Sequence, residues 1–528
     1  MPFNESVVRK NLAKILDMLE EGMTLIKEEF HLPNKHGTSG FIDIFARDKD
    51  GKLVVIEVKI SKQAERDAIT ELFKYITLLK QKMSIKDSEI RLIVISTDWR
   101  ELLTPFSEFH WNTNYNSQGF IATVDSTGSP IELKPVQLLS KHTGRRIIPR
   151  HWIQTYESKV ARDIGAVSYG TQIEGLGIKN FVIALFTYNY PQYGISGYGF
   201  YFGQQEENLQ LYKGILKSHN RERYKEISSY TKTLSEPEDI LNEFADAATE
   251  MVDVPADEME IGHPEKIKAY LQNDSWQIEK IERYGSFSQD IRLQDQDIIS
   301  DLCGYTGGSH VWFSATVRAT DKSHLNEVKQ NYPNCLFHND DWRTSIRDLL
   351  DYFETKPETA TLHLNIFNPE NILETISLVL KKQDTKYLPN FFLAIENEKE
   401  KELEIFHGTI EPTHQPKLKP QEIASKYFDG SFSNAVMQSF FHEMAPINSS
   451  IMGELGLKYS VSYIKFRNGE EEESGANPKV RGTRITHSSS QLEGDLLSWL
   501  SAHPKMASKI ADEYMSAIIT PSGSAALW

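Results

Sequence analysis

The alternation of apolar and polar residues divides the chain into short elements. Val8, Leu12, Ile15, Leu16 and Leu19 recur at helical spacing behind Asn4, a natural N-cap, and this stripe runs out near Gly22. Three apolar runs of strand length follow, around Thr24–Phe30, Gly40–Arg47 and Lys52–Ile60. From about Ala64 to Lys82 the spacing is helical again, with Ala68, Leu72, Ile76 and Leu79 on one side. "RLIVIST" (91–97) is a buried strand, and "GFIATVD" (119–125) extends the unit to about residue 135. Helix, three strands, helix and strand in this order predict a mixed sheet covered by helices.

Farther along, "KNFVIALFTYNY" and "YGFYFG" (179–203) have the character of aromatic strands. Packed strands are the simpler reading of this tyrosine-rich run; base stacking is the alternative, weakened by the lack of Lys or Arg within 186–202. Ser235 and Glu238 form a capping box for an amphipathic helix through Leu241, Phe244, Ala248 and Met251. "TLHLNIF", "ILETISLVLKK", "FFLAIENE" and "ELEIFHGTI" (361–410) predict an α+β unit with a charged turn at "EKEKE", and the polar stretch 468–491 predicts a loop. The expected class is α/β (α+β) multidomain: a first domain over 1–135, an α+β domain over 136–350 and a second α+β region over 351–528, the last two forming one module or two.

Composition adds boundaries. At 528 residues the chain is too long for one core. No run of 18 apolar residues predicts a membrane span, and "MPFNESVVRKNLAK" has no secretory apolar region. Two cysteines, Cys303 and Cys335, make no disulfide framework, which suits a reducing cytoplasm. With His310 and His338 they also lack the paired tight spacing of a zinc site, so two buried thiols are expected.

The net charge of −16 argues against a nucleic-acid partner until its distribution is considered. Residues 1–100 hold 17 Lys and Arg against 16 Asp and Glu, leaving 41 basic and 58 acidic residues to the rest of the chain. A phosphate backbone can therefore approach the first domain without general repulsion. The stretch 236–265 is strongly acidic, a solvated face by default and a partner-binding surface as the lesser reading.

The chemistry concentrates in "GFIDIFARDKDGKLVVIEVK" (40–59), where Asp43, Glu57 and Lys59 interrupt apolar runs. "DKDGK" (48–52) suits a three-residue hairpin loop with Gly51 left-handed. That loop pairs Asp48 with Lys52, sets Asp43 opposite Glu57 and sets Phe41 opposite Lys59. Strict alternation then puts Phe41, Asp43, Phe45, Leu53, Val55, Glu57 and Lys59 on one face, and Ile42, Ile44, Ala46, Val54, Ile56, Val58 and Ile60 on the other. Opposed β-carbons lie roughly 5 Å apart, so the two carboxylates can share one divalent cation, Mg²⁺ or Mn²⁺. Lys59 would face the same point, to orient or deprotonate a water or to neutralise a phosphate. A plain salt bridge between Lys59 and either acid accounts for the same residues without any chemistry.

These residues resemble the core of the PD-(D/E)XK nuclease superfamily, and its NucS-like branch in particular. In that pattern an aspartate, a turn and an hhhE-x-K strand lead into a helix bearing Q-x-x-x-Y. Asp43, Glu57 and Lys59 match the first positions, and "ELFKY" supplies Tyr75, with Glu71 where glutamine is usual. Glu71 is either an added acidic ligand or a subfamily preference. A further glutamate from the first helix is common in this superfamily, and Glu5 and Glu20 both qualify. The resemblance covers roughly residues 1–125. It implies a restriction-endonuclease-like fold and metal-dependent cleavage of nucleic acid, DNA above RNA, with catalytic residues Asp43, Glu57, Lys59, Glu71 and Tyr75 and metal ligands Asp43 and Glu57.

The leading expectation is a cytoplasmic endonuclease in antiphage defence or restriction, its remaining residues serving recognition or regulation. A DNA-repair nuclease is the nearest alternative. A catalytically silent nuclease fold acting as a binding scaffold is the alternative of another class. A homodimer, and an activating protein that engages the acidic C-terminal part, complete the partners considered; no membrane is expected.

Overall fold

The structure, a computed structural model, describes residues 4–60, 62–139, 144–190, 194–234, 237–272, 276–440, 444–488 and 492–518. The chain divides into two compact units, residues 1–144 and 145–528.

In the first unit, Asn4 caps helix α1 (Glu5–Leu12), its side chain accepting from the Val7 N–H. The helix ends sooner than the apolar spacing predicts. Ala13 closes it, and a single 3₁₀ turn, Leu16–Met18, carries the chain onward. Val8, Leu12 and Leu16 are still buried together, so common burial, not one continuous helix, sets that spacing.

Six strands follow: β1 (Thr24–Leu32), β2 (Gly40–Arg47), β3 (Leu53–Lys59), β4 (Ile90–Ser96), β5 (Asn116–Val124) and β6 (Pro130–Pro135). They lie side by side in chain order. The β1–β2 and β2–β3 pairs are antiparallel, β3–β4 and β4–β5 are parallel, and β6 returns antiparallel. A parallel β3–β4 pair needs a crossover, which helix α2 (Lys62–Lys82) supplies. α2 buries Ala68, Leu72, Ile76 and Leu79 against Phe45, Val55 and Leu92. α1 covers the other face, over Ile44, Ala46, Val54, Ile56 and Val58. Burial on both faces explains why β3 and β4 are almost unbroken runs of Val, Ile and Leu. Trp99 is buried, its indole N–H donating to the Phe120 carbonyl at 3.0 Å.

The β2–β3 turn has the conformation that its residues predict. The Asp48 N–H donates to the Lys52 carbonyl at 3.0 Å and the Gly51 N–H to the Asp48 carbonyl at 3.1 Å, with Gly51 at φ 86°. Asp48 Oδ1 accepts from the N–H groups of Asp50 and Lys52 at 3.0 and 2.8 Å, and Oδ2 from Arg91 at 2.8 Å. The resulting ladder runs from Arg47↔Leu53 to Ile44↔Ile56.

The second unit contains two antiparallel sheets. β7 (His151–Tyr156), β8 (Phe181–Tyr190), β9 (Ile195–Gln204), β10 (Glu258–Gly262) and β11 (Trp276–Arg283) form one, in the order β10-β7-β9-β8-β11. Its tyrosine-rich strands pack on themselves, with Trp276 against Phe186, Tyr188 and Tyr270. β12 (Trp312–Arg318), β13 (Ala360–Phe367), β14 (Asn390–Asn397), β15 (Glu402–Pro412), β16 (Leu457–Arg467), β17 (Glu470–Arg481) and β18 (Arg484–Ser488) form a seven-stranded meander. Residue 350 lies in the helix Asp340–Phe353, between the first two strands of that sheet.

The stretch 468–491 departs from the loop expected of it, since β17 and β18 occupy most of it. Lys465 and Arg467 of β16 pair with Glu472 of β17, so cross-strand charge pairing stands in for apolar alternation. The helix expected after Ser235 is present as Pro237–Thr249; Ser235 itself lies outside the described residues. Cys303 and Cys335 are buried free thiols in separate clusters. Among the described residues, no helix is long and apolar enough to cross a membrane.

Replacing Gly51 by Ala forces a β-carbon into the left-handed region, at a cost of about 1–2 kcal/mol. Gly51→Ala should lower the urea midpoint of the full chain's first unfolding transition, and Gly51→Asn should lower it less. An unchanged midpoint for Gly51→Ala would show that this turn conformation is not required.

Candidate active site

Asp43 sits where the β2–β3 ladder ends. The last pair of that ladder is Ile44↔Ile56, and the pairs expected beyond it, Asp43 with Glu57 and Phe41 with Lys59, are absent from it. Here the Val58 N–H donates to Asp43 Oδ2 at 2.9 Å, so a side chain enters the sheet's hydrogen bonding. The strict alternation expected of β2 breaks at this point. A β-carbon on Gly40 would lie 3.1 Å from the Tyr75 ring of α2, and Ile42 packs with Phe45 and Val55 on that side, whereas Ile44 faces α1. Phe41, expected in a buried face, is 53% exposed. Glu29 of β1, flanked by the pairs Glu28↔Ile44 and Phe30↔Ile42, has φ 45°. Both strands are therefore irregular at the level of Asp43.

Arg9 of α1 holds this irregularity together. Its guanidinium donates to Asp43 Oδ1 at 3.0 Å and pairs with Glu29 at 2.8 Å. On β3, the Lys59 ammonium lies 2.6 Å from Glu57 Oε1 and 2.7 Å from Glu71 Oε2 of α2. Tyr75, one helical turn beyond Glu71, is buried beside them. The remaining Glu57 oxygen, Oε2, is buried and has no hydrogen-bond partner. Such an orphan is costly and asks for a proton or a cation.

The charges follow from this packing. Burial and the neighbouring Asp43 carboxylate push Glu57 well above the ordinary carboxylate range. Burial also raises Asp43, against the opposing pull of the Val58 N–H and Arg9. Lys59 is raised: burial works against its charge, but Glu57 and Glu71 outweigh that and keep the ammonium protonated. Lys59 is accordingly a fixed cation here and not a free base. Glu71 ends below its ordinary value because its contacts with Glu57 and Lys59 overcome burial. Tyr75 stays a phenol, its pKa raised by burial and by the surrounding carboxylates.

The five residues singled out by sequence, Asp43, Glu57, Lys59, Glu71 and Tyr75, thus meet at one end of the sheet. The structure also separates the two glutamates that sequence could not. Burial raises Glu5, against the pull of the Lys59 charge and the nearby Ile60 N–H, while Asp43 and Glu71 add to the rise. Glu20 instead pairs with Arg91, which holds Asp48 at the turn, five residues and roughly 16 Å along the strand from Asp43. Arg9 was missed. Its signal was a cation four residues after Glu5, beside the apolar stripe of α1, and spacing alone does not distinguish that from a solvated pair. Among the described residues no three Asp, Glu, His or Cys side chains form a metal-binding group, so a cation here would rest on the Asp43–Glu57 pair with solvent or substrate completing its shell.

Residues 4–104 match the family model described as the Endonuclease NucS C-terminal domain. Over 93 residues the chain is 29% identical to Endonuclease NucS of Methanocaldococcus jannaschii, a stretch covering 18% of this chain and 32% of that protein. The chain thus spans about a third of the length of that relative. No solved structure matches the chain. The matched region contains every residue of the cluster described above.

The raised Glu57 gives a signed pH effect. A carboxyl whose folded pKa exceeds its unfolded value near 4.5 destabilises the fold once ionised, and this penalty vanishes below the unfolded pKa. In EDTA, Glu57→Gln should therefore raise the denaturation midpoint relative to the unmodified chain at pH 8, and the gain should disappear near pH 4. A gain equal at both values would refute the shift.

Proposed function

We propose that the first unit is a metal-dependent endonuclease domain that cleaves DNA. The observation that carries this reading is the buried, unpartnered Glu57 Oε2 beside Asp43, on the side of the sheet where Lys59 is held as an ammonium. The residues fit a divalent cation: Asp43, Glu57, Glu71 and Glu5 outnumber the cations Lys59 and Arg9 around them. Asp43 and Glu57 are the ligands in this proposal. Each Asp43 oxygen has a second lone pair left after its bonds to Arg9 and Val58.

Bound there, Mg²⁺ or Mn²⁺ would supply charge neutralisation at the scissile phosphate and a more acidic water. The protein's own groups do the rest. Arg9 orients Asp43, Glu71 tethers Lys59, and the Lys59 ammonium offsets charge that grows on the phosphate oxygens. Tyr75 remains protonated and able to donate. Glu71, where the superfamily pattern has glutamine, acts in this arrangement as a positioning residue for Lys59.

The second unit carries the recognition or regulatory role in this proposal, and a cytoplasmic defence or restriction setting follows by analogy with nucleases joined to large additional modules. DNA repair uses the same chemistry. A silent scaffold, a homodimer and an activating partner for the acidic region remain separate readings that the same assay addresses.

Purified full-length protein should cleave at least one of a panel of single-stranded, duplex, branched and mismatched DNAs with Mn²⁺ or Mg²⁺, and EDTA should stop it. Asp43→Ala should abolish cleavage, and Lys59→Ala should slow it by about 100-fold or more. Equal cleavage by the unmodified chain and both variants would remove this site from the chemistry. Mn²⁺ binding by calorimetry, lost in Asp43→Ala, without any cleavage would favour the scaffold.

A further inference from the structure

The second unit contains a cleft of about 350 Å³ between the helix Pro264–Gln272, with the nearby Tyr305, and the strands β12 and β13 with Tyr387. Its lining includes Lys268, Trp312, Ser314 and Asn365. It belongs to no part of the proposed nuclease centre.

Of the two lysines in the lining, Lys386 is paired with Asp384 at 3.2 Å, which leaves Lys268. Its Nζ lies 3.4 Å from the centre of the Trp312 ring and 4.9 Å from that of Tyr305, and among the described residues it forms no ion pair with a carboxylate. Glu265, in the same wall, is already engaged: it accepts from Ser309 Oγ at 2.5 Å and the His310 N–H at 3.1 Å, and contacts His263 Nδ1 at 3.0 Å. Burial lowers Lys268 to about 8, so it is still mostly charged at neutral pH. A half-buried ammonium surrounded by ring faces and a committed carboxylate is a site for an anion.

The other walls specify what accompanies the anion. Trp312 is fixed by its indole N–H, which donates to the Cys303 carbonyl at 2.8 Å. Ser314 Oγ donates to Asn365 Oδ1 at 2.7 Å, which leaves the Asn365 amide donors for a ligand. Tyrosine rings suit the face of a base, and an amide suits its hydrogen-bonding edge. The volume lies at the lower end for small-molecule sites, and the acid excess of the chain beyond residue 100 disfavours a long polyanion there.

We propose that this cleft binds a nucleotide, its phosphate on Lys268 and its base against the tyrosine rings with Asn365 at the base edge. A free nucleotide and the 5′-phosphorylated end of a short oligonucleotide share this chemistry.

Calorimetry on the full chain in EDTA, with purine and pyrimidine nucleoside monophosphates, cyclic nucleotides and a 5′-phosphorylated tetranucleotide, tests the proposal; inorganic phosphate is the control. At least one nucleotide should bind more tightly than phosphate. Lys268→Gln and Asn365→Ala should each weaken it by about 10-fold. Binding by monophosphates identifies a free ligand, and binding by the tetranucleotide alone identifies a chain end. No binding across the panel, or affinity unchanged in both variants, overturns the site. Should Lys268→Gln fail to fold, the exposed Asn365→Ala decides. Because the readout is binding without metal, its failure is distinct from any failure of the nuclease reading.

Discussion

A backbone N–H inside a sheet must find an acceptor, and at Val58 that acceptor is a side chain, Asp43. This one substitution of carboxylate for carbonyl ends the β2–β3 ladder, breaks the alternation of β2 and brings an acid into the interior of the domain. Everything else at the site answers the charge so introduced. Arg9 reaches across from α1 to one oxygen, Glu29 adopts a left-handed backbone beside it, and Lys59 is clasped by Glu57 and Glu71. The site is thus a controlled defect in an otherwise regular sheet, with the stabilising contacts supplied by two helices that cover opposite faces.

Much of this was legible in the residues. The turn chemistry of "DKDGK" set the register, because a loop with a left-handed glycine permits only one count along the two strands. The apolar face of α2 placed Glu71 and Tyr75 on the side facing β3, since residues four apart share a helix side. Register alone, however, could not foresee the break at Asp43, because alternation is the only rule that sequence offers within a strand. Nor could it choose between Glu5 and Glu20, a choice that depends on where α1 stops and how it crosses the sheet. Arg9 escaped for the same reason: a buried arginine and a solvated one look alike until its partners, Asp43 and Glu29, are brought near from β2 and β1.

The second unit was harder to read. Its strands were visible where they were apolar, as at β8, β13 and β14, and hidden where charge replaced hydrophobicity, as in the β17–β18 hairpin with its Glu472 pairs. The cleft beside Lys268 draws on residues from 265 to 390. Contacts that far apart in the chain leave no local periodicity to detect, and the segment "CGYTGGSHV" (303–311) that leads into β12 has the composition of an ordinary turn.

The hairpin of β2 and β3 is pinned by a guanidinium at each extremity, Arg91 on Asp48 at its tip and Arg9 on Asp43 at its mouth. Fixed at two points, it has no slack. Lengthening the tip by even one residue would have to release one clasp or the other, whereas the β1–β2 connection, residues 33–39, lies outside both. Natural length variation in this domain should therefore accumulate in the latter and spare the former.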